Sequence, residues 1–248
     1  MIEYTNDYLL DLKVKIFQPT NGYRASTDAV MLSALPHKIQ SGDKILDVGS
    51  GTGAISLCLA HRLQHQNVQI HGFELQAELA ELSNLSAQNN GFADFLHYHN
   101  IDIRTDTLPE PANSFQHIIT NPPYSTDDMK SPNPSKSLAH NFAKFDLNNW
   151  INFCLKMLAP YGYFYIINRA EALPQILHSL YGRTGEINII PLHSKQGQKA
   201  KRVMVSARKN SKTPATIHPA FIIHQEDGNY TPQAEQILRQ GKSFHSLS

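Results

Sequence analysis

Short apolar runs alternate along the chain with longer segments in which apolar residues recur at helical spacing. The short runs favour strands at 44–48, 68–74, 95–101, 115–120, 162–169, 186–193 and 200–209. The longer segments favour helices at 26–35, 54–64, 77–90, 147–158 and 172–180, with a further short helix from Pro232. Strands that interleave with helices require right-handed crossovers, so the pattern predicts an α/β fold with a doubly wound, mostly parallel, seven-stranded sheet. The last two runs have no helix between them and predict an antiparallel edge pair.

Composition limits the class of protein without selecting a function. The chain has 248 residues, 41% of them hydrophobic, and its formal net charge of +1 means that any nucleic-acid surface has to be local. Cys58 and Cys154 stand far apart in apolar segments, so we expect two buried thiols rather than a disulfide or a metal site. The first residues do not resemble a signal peptide, and no run has membrane-spanning length. We therefore expect a cytoplasmic protein without a membrane partner or a metal.

Acids and glycines follow the ends of three consecutive strands. In an open α/β sheet a ligand binds beyond the carboxyl ends of the strands. The first strand runs into a glycine-rich loop, "DVGSGTGA", which alone is weak evidence because a turn of the fold has the same composition. Three acids beside this loop, Asp47, Glu74 and Asp102, favour a nucleoside-containing cofactor, with Glu74 on its ribose hydroxyls.

The fourth strand is followed by the tetrad "NPPY", formed by Asn121, Pro122, Pro123 and Tyr124. Two prolines fix their own backbone and keep the preceding residue extended. The tetrad is either a turn that stops the strand or a rigid clamp that holds Asn121 and Tyr124 against a flat, polar substrate. Its position at the same sheet edge as the glycine loop favours the clamp.

Together these motifs resemble the class I S-adenosylmethionine-dependent methyltransferases that modify an NH2 group through an N-P-P-Y tetrad. Three segments are similar to a narrower family, the bacterial methyltransferases that act on N6 of the adenine beside the anticodon of a valine tRNA. They are "FQPTNGYRASTDAVMLSA" (17–34), "SPNPSKSLAH" (131–140) and "KAKRVMV" (199–205). The chain departs from that family at Ala25-Ser26, where the pattern Y-R-x-G-T-D has a glycine.

The resemblance implies a Rossmann-like methyltransferase fold with S-adenosyl-L-methionine as cofactor. The residues that it places on the cofactor are Asp47, Gly49, Gly51, Gly53, Glu74, Asp102 and Asn121. We further expect Arg24 and Thr27 to contact the cofactor, with Arg24 on its carboxylate. This gives an N-terminal segment, 1–36, near the cofactor, a catalytic domain, 37–212, and a C-terminal extension of the same domain, 213–248.

The resemblance also makes Asn121, Pro122, Pro123 and Tyr124 the catalytic residues. An aromatic amine is a poor nucleophile because its lone pair is delocalised into the ring. If the Asn121 side-chain oxygen and the Pro122 carbonyl accept both N–H bonds, the nitrogen can pyramidalise and its lone pair becomes available. Tyr124 then offers a stacking face to the extruded base.

The tetrad does not select the substrate, because glutamine N5 in release factors, guanine N2 and adenine N6 all present an NH2 group. A release-factor glutamine methyltransferase usually carries a helical substrate domain ahead of the glycine loop. Here fewer than 50 residues precede Gly49 and they carry the segment "QPTNGYR" instead, so we do not expect that domain. No domain that reads DNA sequence is evident either. The acid-free stretch 193–212 is a solvated hairpin in the simpler interpretation, but beside a base-modifying site it favours RNA. We expect its RNA-binding residues to be Lys195, Lys199, Lys201 and Arg202.

These observations predict a methyltransferase that acts on N6 of an adenine in tRNA. The alternatives are a protein-glutamine N5 methyltransferase, another methyltransferase for an exocyclic amine of RNA, and an RNA-binding protein without catalysis. The sequence does not indicate the oligomeric state.

Overall fold

The computed structural model describes residues 3–22, 24–123 and 146–246, and the elements below lie within them. Two antiparallel strands, β1 (Tyr4–Leu9) and β2 (Val14–Pro19), form a hairpin near the start of the chain. The strands of the main sheet are β3 (Lys44–Val48), β4 (Gln69–Glu74), β5 (Leu96–Asn100), β6 (Phe115–Thr120), β7 (Leu158–Arg169), β8 (Thr184–His193), β9 (Arg202–Lys209), β10 (Thr216–Ile217) and β11 (Phe221–Ile222).

The helices are α1 (Thr27–Ser33), α2 (Ala54–Leu63), α3 (Ala77–Asn89), α4 (Leu147–Met157), α5 (Leu173–Leu180) and α6 (Pro232–Leu238). Two of them begin at side-chain caps. Asp146 accepts a hydrogen bond from the Asn149 N–H at the start of α4, and Thr231 does the same for the Ala234 N–H at α6. Gly91 follows α3 with a φ of 73°, which is the left-handed conformation that ends a helix.

The main sheet has the strand order β10-β8-β9-β7-β6-β3-β4-β5, and β11 also pairs with β8. Strands β3 to β7 are parallel to one another, while β9 is antiparallel to both β7 and β8. The predicted fold class is therefore confirmed, including the antiparallel edge pair. Two short strands, β10 and β11, extend the predicted seven-stranded sheet to nine strands in the described part of the chain.

The strand order reverses between β3 and β6, which are neighbours although β4 and β5 separate them in sequence. Such a switch point is where ligands bind in open α/β sheets. Because β9 runs opposite to β7, its first residue, Arg202, pairs with the last residue of β7, Arg169. The turn from β8 to β9 therefore lies at the same end of the sheet as the carboxyl ends of β3, β4 and β6, and we call this end the sheet edge of the crevice.

The sheet separates two hydrophobic cores. One is formed with α1, α2 and α6 and includes Ile16 of the hairpin, and the other is formed with α4 and α5. Cys58 and Cys154 are buried and free, one in each core, as the sequence predicts. In the described residues, no helix combines the length and the apolar character needed to cross a bilayer.

The sequence pattern does not predict the β1–β2 hairpin, which the structure shows. Its turn places Leu10, Asp11 and Leu12 at φ values of 52°, 55° and 67°, whereas the usual sequence signal for such a turn is Gly or Asn. Strand β2 lies along α3, since the Phe17 N–H donates to Ser86 Oγ at 3.0 Å. The hairpin is thus a docked part of the fold.

Candidate functional site

The glycine-rich loop leaves the end of β3 at the switch point. Gly49, Gly51 and Gly53 have φ values of 71°, 57° and 82°, so all three occupy the left-handed region that favours glycine. The space beside the loop is also filled. A Cβ atom on Gly49 would lie 2.8 Å from the Trp150 ring, and one on Gly53 would overlap the Tyr98 ring. The loop is therefore closely packed against these two rings, and a side chain at Gly49 or Gly53 would displace them.

Asp47 lies beneath this loop, with 1% of its surface exposed. Its Oδ2 atom accepts a hydrogen bond of 2.5 Å from Ser56 Oγ, in the first turn of α2. Burial raises the pKa of the Asp47 carboxyl to about 7, against hydrogen bonds from Ser56 that act in the opposite direction. The carboxyl group thus supports the start of α2, and its predicted contact with the cofactor stays a prediction.

Glu74 lies at the end of β4 and connects that strand to the glycine loop. Its two carboxylate oxygens accept hydrogen bonds from the Gly51 N–H at 2.8 Å and from the Gln76 N–H at 2.9 Å. Burial raises the pKa of the Glu74 carboxyl, while these backbone donors act to lower it. A carboxylate oxygen has more than one lone pair, so this geometry leaves each oxygen able to accept a ribose hydroxyl as well.

Asp102 follows β5 at the next strand end, but its carboxylate is engaged locally. Arg104 donates to Asp102 Oδ1 from Nε at 2.7 Å and to Oδ2 from Nη2 at 2.6 Å. These hydrogen bonds hold the pKa of Asp102 below its ordinary value. The predicted cofactor contact of Asp102 is untested and would have to compete with this bidentate ion pair.

Asn121 follows the last residue of β6, beside the glycine loop. Its side-chain oxygen, Oδ1, is buried and has no hydrogen-bond partner in the described part of the chain. Pro122 is buried and Pro123 is exposed. Tyr124, the last residue of the tetrad, and the segment 131–140 lie outside the described residues.

Buried polar atoms without partners concentrate at the glycine loop, beneath it and at the tetrad. Among the described residues, five buried side-chain oxygen or nitrogen atoms have no hydrogen-bond partner. Four of them belong to the glycine loop, the residue beneath it or the tetrad, namely Asp47 Oδ1, Ser50 Oγ, Thr52 Oγ1 and Asn121 Oδ1. Leaving such an atom unsatisfied costs ~1–3 kcal/mol. The cluster therefore fits a site that completes its hydrogen bonds with a polar ligand.

Arg24 and Thr27, the two residues of the N-terminal segment that we expect on the cofactor, lie in different surroundings. The Arg24 guanidinium donates to Asp7 Oδ2 at 2.7 Å and to Thr5 Oγ1 at 3.0 Å, both on β1. Thr27 is exposed at the first position of α1. The structure thus holds Arg24 on the hairpin, and its role at a cofactor carboxylate remains a prediction, as does that of Thr27.

The predicted RNA-binding residues share the sheet edge of the crevice. Lys199 and Lys201 are exposed in the β8–β9 turn, and Lys195 Nζ donates to the Glu226 carbonyl at 2.8 Å. Arg202 donates from Nε to Asp28 Oδ2 of α1 at 2.8 Å. This ion pair already offsets part of the Arg202 charge, which leaves Lys199 and Lys201 as the more accessible cations of the turn.

The cations at the end of the acid-free stretch 193–212 lie at the opposite end of the sheet. Lys209 is at the opposite end of β9, where its Nζ atom donates to the carbonyls of Leu155 and Leu158 at 2.7 and 2.6 Å. Arg208 donates to the Tyr161 carbonyl at the same end. One run of positive charges in the sequence therefore forms two separate groups. One lies in the β8–β9 turn beside the crevice, and the other makes structural hydrogen bonds at the opposite end of β9.

Sequence reasoning missed the aromatic residues that support the glycine loop. The Tyr98 hydroxyl donates to the Gly53 carbonyl at 3.1 Å, and the Trp150 ring packs against Gly49. A signal for Trp150 exists, since it is the single tryptophan of the chain and lies in the first turn of the helix that follows the tetrad region. Within the described residues, no group of three or more His, Cys, Asp or Glu side chains is arranged to hold a metal ion.

Most of the chain is similar to known methyltransferases. The family model for the Methyltransferase small domain matches residues 25–188. A tRNA1(Val) (adenine(37)-N6)-methyltransferase of Actinobacillus succinogenes is 29% identical over 219 residues, covering 88% of this chain and 89% of that protein. The protein of the same name from Pedobacter heparinus is also 29% identical over 219 residues, covering 87% and 89%.

Solved structures share the architecture. The crystal structure of a predicted O-methyltransferase from Agrobacterium tumefaciens superposes with a TM-score of 0.71 at 23% identity, covering 87% of this chain and 97% of that one. A geranyl diphosphate methyltransferase in complex with SAM superposes with a TM-score of 0.50 at 15% identity, covering 73% and 84%. At these identities the likeness concerns the fold alone.

Proposed function

This chain belongs to the Methyltransferase small domain family, and from that premise we propose that it methylates N6 of an adenine in tRNA. S-Adenosylmethionine is its cofactor. When bound, this cofactor supplies a methyl group already activated on a sulfonium, so the reaction demands no strong general base. The protein then has to hold donor and acceptor in line and to make the acceptor nitrogen nucleophilic.

The observation that carries the proposal is the buried Oδ1 atom of Asn121 beside the glycine loop, which has no hydrogen-bond partner among the described residues. An acceptor that is already buried and fixed costs no reorganisation when a substrate N–H arrives. With the Pro122 carbonyl as a second acceptor, both N–H bonds of an exocyclic amine would be engaged. Its lone pair would then point away from the clamp, towards the donor cradle.

The donor side would be held by the glycine backbone and Glu74. Gly49, Gly51 and Gly53 let a ligand approach the main chain closely, and Glu74 is fixed beside Gly51 by a hydrogen bond of 2.8 Å. We propose that Glu74 binds the ribose hydroxyls there. Asp47 would act indirectly, by holding the first turn of α2 against the loop through Ser56.

Two observations favour tRNA over other amine substrates. Lys199 and Lys201 are exposed at the same sheet edge as Asn121, where they would meet the phosphates of an RNA whose base enters the clamp. The curated relatives with 29% identity over most of the chain are named for adenine N6 of tRNA1(Val). The adenine next to the anticodon of a valine tRNA is therefore the first substrate to test.

The test offers labelled S-adenosylmethionine with unmodified tRNA and, in a parallel reaction, with a release factor, followed by nucleoside analysis of the RNA and peptide analysis of the protein by mass spectrometry. We expect label in N6-methyladenosine and, with purified species, in a valine tRNA. The Asn121→Ala variant, shown to bind the cofactor, controls for contaminating enzymes. Label in a release-factor glutamine, in guanosine, or in no RNA at all would refute the proposal, and the first two outcomes would identify the alternative substrate.

A further inference from the structure

We propose that Trp150 is a positioning residue that fixes the donor cradle relative to the acceptor clamp. The proposal deepens the function proposed above and rests on it for the role of Asn121. Trp150 is not expected to touch either substrate. It joins the two strand ends that carry the reacting groups.

Two hydrogen bonds and one packing contact make this connection. Trp150 Nε1 donates to Thr120 Oγ1 at 2.8 Å, and the same hydroxyl donates to the Val48 carbonyl at 2.8 Å. Thr120 is the residue before Asn121, and Val48 is the residue before Gly49. The indole ring then packs on Gly49 itself, where an added Cβ would lie 2.8 Å from it.

The connection is buried and is held from both sides. Thr120 is 0% and Trp150 is 4% exposed, so water does not compete for these hydrogen bonds. Val48 and Thr120 are also direct partners in the parallel ladder of β3 and β6. Trp150 is fixed in the first turn of α4, where its backbone N–H donates to the backbone carbonyl of the N-cap residue Asp146 at 3.1 Å.

The location matters because methyl transfer requires nitrogen, methyl carbon and sulfur to lie in line. A misplacement of ~1 Å caused by a distant substitution can cost ~10²-fold in rate. The ladder of β3 and β6 ends at Val48 and Thr120. Beyond it the Gly49 N–H donates to the Phe73 carbonyl of β4 at 2.9 Å, which holds the start of the loop on β4 rather than on β6. Among the described residues, Trp150 is in contact with the residue at the start of the loop and with the residue before Asn121.

The first experiment uses a matched pair of substitutions at Thr120 and one at Trp150. Thr120→Val keeps the shape but removes the hydroxyl, Thr120→Ser keeps the hydroxyl, and Trp150→Phe keeps an aromatic ring without the N–H. In single turnovers on an accepted tRNA, we expect Thr120→Val and Trp150→Phe to lower the transfer rate constant about tenfold. Thr120→Ser should stay near the parent rate. Cofactor affinity and the KM for tRNA should change by less than about twofold in all three, because the groups that bind cofactor and RNA are retained.

A control separates positioning from a loss of stability. Ile151→Val trims the adjacent, fully buried residue of α4 without touching the Thr120 hydroxyl. It should destabilise the protein but leave the transfer rate constant unchanged. The double variant Thr120→Val/Trp150→Phe should be no slower than the slower single variant, because both substitutions break one connection. Parental rates in Thr120→Val, equal losses in Thr120→Val and Thr120→Ser, or an equal loss in Ile151→Val would overturn the proposal.

A second readout needs no RNA and therefore distinguishes failure of this inference from failure of the proposed function. Trp150 is the only tryptophan of the chain, so its emission reports the environment of the glycine loop directly. Titration with S-adenosylhomocysteine should change the emission of the parent saturably, and Thr120→Val should alter that response while Thr120→Ser preserves it. If calorimetry shows that S-adenosylhomocysteine binds and the emission does not respond, Trp150 is not coupled to the donor cradle. If the emission responds as expected but no RNA is methylated, the proposed substrate is wrong and the connection stands.

Discussion

The side-chain oxygen of Asn121 is buried at the crevice, and no described residue donates a hydrogen bond to it. Removing that oxygen in Asn121→Ala should therefore affect the step in which charge develops on the acceptor nitrogen. We expect kcat to fall by ~10²–10³-fold, as when one preorganised polar group is removed from an active site. The measurement is single-turnover transfer to an accepted tRNA, after calorimetry has shown unchanged cofactor affinity. Near-parental transfer would mean that the tetrad is only a rigid turn.

Glu74 accepts the Gly51 N–H and, in our proposal, the ribose hydroxyls as well. Glu74→Ala should weaken S-adenosylmethionine binding by ~2 kcal/mol, because it removes a charge-assisted hydrogen-bond acceptor for the ribose. It also removes the acceptor for the Gly51 N–H, so part of the loss would reflect a looser loop. Glu74→Gln keeps one oxygen acceptor of the same reach but removes the charge and turns its NH2 group towards the N–H of either Gly51 or Gln76, so it should lose less than Glu74→Ala without matching the parent. Calorimetry on both folded variants should rank their affinities as parent, Gln, Ala, and unchanged affinity in Glu74→Ala would remove this residue from the site.

Asp47 makes the stability of the fold depend on pH in a defined direction. Burial raises the pKa of its carboxyl to about 7, whereas in the unfolded chain it loses its proton near the ordinary aspartate pKa of 3.8. Between these values the folded state binds more protons, so Asp47 contributes stability at low pH that is lost as pH rises through about 7. Asp47→Asn cannot ionise, so its stability relative to the parent should improve between pH 5 and 8, by at most ~3 kcal/mol.

The quantity to measure is the difference in the free energy of unfolding between Asp47→Asn and the parent at each pH. Burial lowers the pKa values of His37 and His71 to about 4, so both histidines make the parent more stable as pH rises from about 4 towards 6.5. These contributions cancel in the difference. Urea unfolding of both proteins at several pH values measures it, and a difference that does not vary with pH would show that Asp47 is ionised in the fold at pH 5.

The β8–β9 turn is the element that would meet RNA. Lys199→Ala/Lys201→Ala removes two exposed cations at the edge of the crevice. We expect weaker tRNA binding and a salt dependence that is flatter by roughly 0.7 for each phosphate that is no longer neutralised. The matched control, Lys156→Ala/Lys212→Ala, removes the same charge from the opposite edge and should leave the slope unchanged. Equal effects of the two double variants would assign the binding to net charge, and no effect of either would make the turn a solvated edge.

Among the elements, those that carry the site could be predicted from sequence. The apolar runs 44–48 and 115–120 coincide with β3 and β6, since buried parallel strands are continuously apolar and end at turn residues. Parallel strands in turn bring their carboxyl ends to one edge, so the neighbourhood of the glycine loop and Asn121 follows from the alternation of elements. Strand β7 is longer than predicted, because pairing of Leu158 with Phe115 begins before the register shift.

Contacts between side chains from distant elements could not be predicted in this way. Periodicity shows that Trp150 is buried but does not show that its N–H reaches Thr120. It also places Asp102 at a strand end without showing that Arg104 occupies its carboxylate. The ion pair of Asp28 with Arg202 joins residues 174 positions apart and depends on the packing of α1 against the end of β9. Such contacts are decided by rotamers and by tertiary packing, which single-residue patterns do not encode.

At the scale of the whole molecule, the C-terminal extension is tied into the first core rather than appended to it. Arg62 of α2 donates from Nε to the Gly241 carbonyl at 3.0 Å, and the Phe244 N–H donates to the Ala34 carbonyl at 3.0 Å. The rings of His37 and His245 lie 4.3 Å apart, centroid to centroid. The extension therefore closes over α1, the helix whose Asp28 also holds Arg202 at the crevice edge.

This arrangement predicts that the extension unfolds together with the sheet. Ile237 of α6 is 0% exposed in the first core, so Ile237→Ala should cost ~2–5 kcal/mol of the free energy of unfolding. Ile217 of β10 offers a matched control in the same extension, since it is 74% exposed and Ile217→Ala should cost less than ~0.5 kcal/mol. Urea unfolding followed by both far-ultraviolet circular dichroism and Trp150 emission should give coincident transitions in each protein. A near-parental Ile237→Ala, or an early transition seen by circular dichroism alone, would mean that α6 and its surroundings form a separate unit that the sheet does not need.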